Sequence, residues 1–148
     1  MQYYELLEHT ADIGVRLKAK DLKELFENTA LAMFDIMSER KSPDPRQSVG
    51  APSHQSPAEK IIVKQDADNL EELFINWLNE LLSLSSAKEL IFTDFKINKL
   101  SETALEATAI SENIADYKVN TEIKAATYHQ LKLEPINSGW QAEVIFDV

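Results

Sequence analysis

The chain contains no cysteine, which excludes disulfides, thiolate metal sites and cysteine nucleophiles and is compatible with a reducing compartment. Only three glycines are present and they stand alone, so no glycine-rich loop can cradle a phosphate. No apolar run approaches the roughly 20 residues needed to cross a bilayer. The histidines His9, His54 and His129 form no HxH or HxxxH pair, and a local zinc signature is therefore missing. There is no serine nucleophile elbow either. Basic residues are scarce: 15 Lys and Arg stand against 25 Asp and Glu, for a formal net charge of −10. A chain this acidic is poorly suited to gripping phosphate backbones over a wide surface. Together these absences leave an independent nucleotidyl-transfer or hydrolase site without support.

What is present fits an ordinary soluble domain. The 148 residues are 44% apolar and 27% charged, enough for a hydrophobic core, and are expected to form one domain over 1–148. The start, MQYYELLEH, has neither a basic region nor a small-residue cleavage site, so the expectation is a cytoplasmic protein without a signal peptide.

Two helices follow from 3.6-residue periodicity. In DLKELFENTALAMFDIM the residues Leu22, Leu25, Phe26, Thr29, Met33, Ile36 and Met37 share a face, with Asp21 and Glu24 as a capping pair. In DNLEELFINWLNELLSL the same holds for Leu70, Leu73, Phe74, Trp77, Leu78, Leu81 and Leu82, with Asp68 and Glu71 as the expected cap. LKELFEN and LEELFIN also share letters, and each follows a short alternating segment, VRLKA or KIIVK. This hints at a repeated strand–helix unit, although two amphipathic helices need no common origin. Elsewhere alternation dominates: IGVRLKAK, LIFTDFKI, ALEATAI, TEIKAATYHQLKLEPI and GWQAEVIFDV read as strands, with Asn137-Ser138-Gly139 as a turn. The expected fold class is α+β, a two-layer sandwich of two amphipathic helices on a mostly antiparallel sheet of seven or eight strands. Residues 38–59, SERKSPDPRQSVGAPSHQSPAE, hold four of the five prolines and read as a mobile loop, locally basic through Arg40, Lys41 and Arg46.

Candidate chemistry lies at the chain ends. Asp12 in EHTADIG precedes the alternating IGVRLKAK, where a single aspartate is ordinarily a turn residue. Asp147 is penultimate and Val148 carries the α-carboxylate, so two carboxylates lie one residue apart with no lysine nearby. A cation would relieve that arrangement, and oxygen-only ligation points to Ca²⁺, Mg²⁺ or Mn²⁺. No rule of spacing links Asp12 to Asp147, and the ordinary reading of Asp147 is a solvated terminal side chain. As a strand, TEIKAATYH puts Glu122, Lys124, Ala126 and Tyr128 on a polar face. Ile123, Ala125, Thr127 and His129 then fall on the apolar one, where His129 is expected as a hydrogen-bonded core histidine.

Taken in order, EHTADIG, LKELFENTALAMFDIM, LEELFINWLNELLSL, FTDF, TEIKAATYH and the terminal VIFDV resemble the archease family, over nearly all of the chain except 38–59. Archeases are non-catalytic accessory proteins of RtcB-type RNA ligases. Those ligases join a 2′,3′-cyclic phosphate or 3′-phosphate end to a 5′-hydroxyl, with GTP and Mn²⁺, through a guanylylated histidine. The resemblance implies a protein that speeds ligase guanylylation and so allows multiple turnovers in tRNA splicing or RNA repair. RNA would be met only through the ligase, and no membrane is involved. The family also resembles part of a redox chaperone, the origin of an alternative role as a general chaperone.

The resemblance further implies that Asp12 and Asp147 meet at a metal site completed by the terminal carboxylate of Val148. The metal would be Ca²⁺ first, with Mg²⁺ or Mn²⁺ as alternatives. Three converging carboxylates would repel strongly without a divalent ion among them. Lys124 falls where contact with the ligase is implied, and His9 and Glu122 are implied as supporting or partner-contacting residues. One departure is local: where family members often carry Gly-Glu followed by His, this chain has Ser111-Glu112 and no histidine. A third reading, a metal-dependent enzyme acting on a phosphorylated substrate, lacks a general base or phosphate cradle beside Asp12.

Overall fold

Helix α1 (Leu22–Met37) begins where the Asp21 carboxylate accepts a hydrogen bond from the Glu24 amide at 2.8 Å. It stops at Ser38, whose backbone turns extended and whose hydroxyl donates to the Phe34 carbonyl at 3.1 Å. Helix α2 (Leu70–Lys88) is capped one residue later than expected: the Asn69 side chain, not Asp68, accepts from the Glu72 amide at 2.8 Å. It ends on Glu89 in the left-handed conformation, with Lys88 favourably placed in its last turn. These elements belong to a computed structural model that describes residues 3–7, 11–41 and 58–148.

The strands divide into three antiparallel sheets. β1 (Tyr4–Leu7), β2 (Ile13–Ala19), β9 (Gly139–Asp147) and β8 (Ala125–Ile136) form the first, in the order β1-β2-β9-β8. β4 (Glu59–Asp66), β6 (Ala104–Asn113) and β5 (Leu90–Leu100) form the second, in the order β4-β6-β5. The third pairs β3 (Ser38–Arg40) with β7 (Tyr117–Val119). α1 packs on β2, β9 and β5, and α2 on β8, β4 and β5, so the helices join the two larger sheets in one core. The α+β class of two helices on antiparallel sheets holds, with the strands shared among separate sheets. The two similar helix starts do each follow a strand, β2 before α1 and β4 before α2.

The core is aromatic at its centre. Trp77, Phe26, Phe74, Phe92 and Phe146 are fully buried, each contributing about 1.5–3 kcal/mol by area removed from water. The Trp77 indole N–H donates to the Phe26 carbonyl at 3.0 Å, which satisfies its one polar atom and ties α2 to α1.

Two further local expectations change. Segment 38–59 is not loop throughout, since Ser38–Arg40 is strand β3 and β4 starts at Glu59; residues 42–57 lie outside the described residues. His129 is exposed instead of lying on the apolar face. The cause lies at the start of the strand: β8 begins only at Ala125, so Ala126, expected on the polar face, is the buried residue opposite Phe146, while Ala125 and Thr127, whose parity His129 shares, take the other face. The turn Asn137-Ser138 does join β8 to β9. Gly139 after it has φ +145, and a Cβ there would sit 2.0 Å from the Ala19 carbonyl oxygen.

A line of alternating charge crosses the outer face of the four-stranded sheet. Register sets Glu5 opposite Arg16, Arg16 opposite Glu143 and Glu143 opposite Lys132. Arg16 Nε donates to Glu143 at 2.6 Å, while Glu5 and Lys132 extend the line at 3.3 and 3.7 Å. The hydrogen bond from Arg16 holds the Glu143 carboxyl below its usual range, against the opposing effect of partial burial. A depressed folded-state pKa stabilises the fold above the unfolded value, and that contribution is lost as pH falls through the folded one. Glu143→Gln should therefore cost about 0.5–1 kcal/mol at pH 7. In urea titrations the difference from wild type should shrink as pH falls below the ordinary carboxyl range.

Candidate functional site

Strand register builds the candidate site. In the four-stranded sheet Ile13 pairs with Phe146, and Ala125 pairs with Asp147. One step further along the same register sets Asp12 opposite Asp147 and Lys124 opposite Val148. The Lys124 amide donates to the Asp147 carbonyl at 2.8 Å, which locks the two chain segments together at this end. Asp12 is half-buried and Asp147 exposed. Val148 is half-buried, with its side chain packed against the core.

Four of the six sequence-predicted residues thus come to one sheet end: Asp12, Asp147, Val148 and Lys124. Glu122 is exposed two residues further out and lines a neighbouring cleft together with Lys124. His9 lies outside the described residues. Among the described residues no three His, Cys, Asp or Glu side chains form a group that could hold a metal ion. Among the described residues the side-chain carboxylates at the sheet end are those of Asp12 and Asp147.

The cleft, about 750 Å³, runs between the second half of α2 and the segment leading into β8. Met37, Leu82, Ile91, Ile114, Val119 and Ile123 give it an apolar lining. At its wall Asn79 of α2 reaches β8: its side-chain oxygen accepts from the Ala126 amide at 2.7 Å, and its NH₂ donates to the Ala126 carbonyl at 3.1 Å. Sequence reading passed over Asn79. The only signal was a polar residue on the flank of an otherwise apolar helix face.

The Ser111-Glu112 departure has a structural use. Ser111 is buried and donates to the Glu59 carbonyl at 3.3 Å. Glu112 accepts from Arg40 at 2.8 Å and from the Tyr117 hydroxyl, binding the end of β6 to both strands of the β3–β7 pair. Burial first, and then the Glu112 carboxylate, push the Tyr117 phenol up to about 12.

A small α+β protein with a carboxylate-bearing sheet end and no helix among the described residues long and apolar enough to cross a membrane is the class so defined. The model of the archease protein family (MTH1598/TM1083) matches residues 4–148. Protein archease of Methanosarcina acetivorans is 37% identical over 151 residues, covering 98% of this chain and 95% of the relative. That of Thermococcus kodakarensis is 35% identical and covers both chains fully. The solution structure of Methanobacterium thermoautotrophicum protein 1598 superposes with a TM-score of 0.70 at 28% identity over 100% of both chains. A Thermotoga maritima structure described as an archease and possible chaperone agrees in fold, with a TM-score of 0.64 at 22% identity over 96% of this chain and 94% of that one. The chain belongs to the archease family.

Spectrophotometric titration should find one phenol ionising near 12, about two units above an ordinary tyrosine. Tyr117→Phe should remove that step, and its persistence would reassign the shifted group.

Proposed function

We propose that this chain is a non-catalytic, cytoplasmic activator of an RtcB-type RNA ligase, promoting guanylylation and multiple turnover in tRNA splicing or RNA repair. The observation that carries the reading is the gathering of Asp12, Asp147, Val148 and Lys124 at one sheet end in a chain that is an archease over its whole matched length. The donor set there is all oxygen, with two facing aspartates and the terminal carboxylate, and it fits a hard divalent ion, Ca²⁺ first, with Mg²⁺ or Mn²⁺ acceptable. Such an ion, when bound, would supply positive charge that offsets the mutual repulsion of the carboxylates.

The chain's own residues do the rest of the work. Asp12 and Asp147 present fixed negative charge, and the Val148 side chain packs against the core. Lys124 places a cation beside them, where an acidic or phosphate-bearing element of the partner would be met. The net charge of −10 suits docking on a basic RNA-binding ligase and raises the encounter rate. RNA is engaged through the ligase, and no membrane takes part.

A second reading, a general chaperone, has the wording used for the Thermotoga relative behind it and a set of exposed large apolar side chains, Tyr3, Leu6, Ile62, Val119 and Tyr128. Apart from Tyr3, which directly precedes β1, they lie on four different strands, whereas client capture calls for a contiguous apolar patch.

The test is a ligation time course with RNA in large excess over the cognate ligase, GTP and Mn²⁺ present, and this protein below the ligase in amount. Wild type should turn a single round into repeated rounds, and Asp12→Ala should lose at least tenfold of that gain. Unchanged guanylylation with wild type would sink the activator reading. Suppressed aggregation of unrelated clients would then favour the chaperone.

A further inference from the structure

Strand β8 is the last strand of its sheet, so among the described residues no neighbouring strand takes the outward-facing backbone groups of Ala126. Those groups are nonetheless satisfied. The Asn79 carboxamide accepts from the Ala126 N–H at 2.7 Å and donates to its C=O at 3.1 Å, the same two bonds that a paired strand would make. The clamp sits at a sensitive place. Ala126 is the second residue of β8, and the preceding residues make the contact with the chain end: Ala125 pairs with Asp147, and the Lys124 amide donates to the Asp147 carbonyl. On the other side of the clamp, Thr127 donates its hydroxyl to the Ile145 carbonyl at 2.9 Å, and beyond it the β8–β9 register slips. The start of β8 is thus a short paired segment bounded by an irregular stretch on one side and a non-strand stretch, residues 120–124, on the other. A segment this short is prone to fray unless something outside the sheet holds it.

We propose that Asn79 is a positioning residue. Its carboxamide stands in for the absent strand and fixes the backbone that presents Lys124 beside Asp147 and Val148. The inference rests on the reading of that sheet end as the working surface, although the clamp itself can be judged independently. Asn79 donates one hydrogen bond and accepts another within a single planar group. A leucine of similar size fills the space and makes neither bond, while an aspartate keeps the acceptor and sets a second oxygen against the Ala126 carbonyl.

Amide hydrogen exchange on the full chain tests this. In Asn79→Leu the amides of Ala126 and Lys124 should exchange at least tenfold faster than in wild type, with those of Val15 and Val144 in the central strands unchanged. In the ligation assay the same variant should lose at least tenfold in added turnovers, while Glu143→Gln, on the outer face of the sheet, keeps them. If Asn79→Leu does not fold, Asn79→Asp is judged by the same exchange comparison. Lys124 exchange that matches wild type, or that rises only in step with Val15 and Val144, overturns the proposal. Wild-type protein that fails to stimulate the ligase overturns the activator reading, and the exchange rates still decide the clamp.

Discussion

Strand β9 is hydrogen-bonded along both edges, to β2 on one side and β8 on the other, and the remaining structure depends on that double pairing. It brings the first described segments of the chain against the last. Without it Asp12 and Asp147 have no reason to approach, because the residues between them are spent on two helices and a separate three-stranded sheet. Pairing also fixes register. In an antiparallel ladder a slip of one residue would turn every side chain of β9 over and take Val144 and Phe146, both fully buried, off the core face. The apolar cost of that slip keeps the two aspartates opposed.

The placement of the carboxylates therefore comes from hydrophobic burial and not from attraction at the sheet end. The register that places these two positions across from each other is set by the apolar faces of β2 and β9. The line from Glu5 through Arg16 and Glu143 to Lys132 crosses the same strands with alternating sign and supports the register.

Much of the fold was legible in the sequence because helical and strand periods leave clear marks. Both helices follow from their apolar faces, and Asp21 was readable as a cap. Asp68 was not the second cap, because Asp68 and Asn69 are adjacent and either can accept from the backbone two or three residues on; tertiary placement chose Asn69. His129 was misplaced since alternation was run from TEI into AATYH, whereas Ile123 and Ala126 are both buried three residues apart and the strand starts only at Ala125. The sheet end was less legible. No local pattern joins Asp12 to Asp147, and their association came from resemblance, with register supplying the geometry afterwards. Asn79 left almost no trace, as its role depends on which strand ends up at the sheet edge.

The most direct measurement is paramagnetic broadening of amide resonances as Mn²⁺ is titrated into the isolated protein. A cation site at the sheet end predicts early broadening confined to residues 11–13, 124–125 and 146–148, and its loss in Asp12→Ala. Broadening spread over the many surface carboxylates, or unchanged by that substitution, would contradict it.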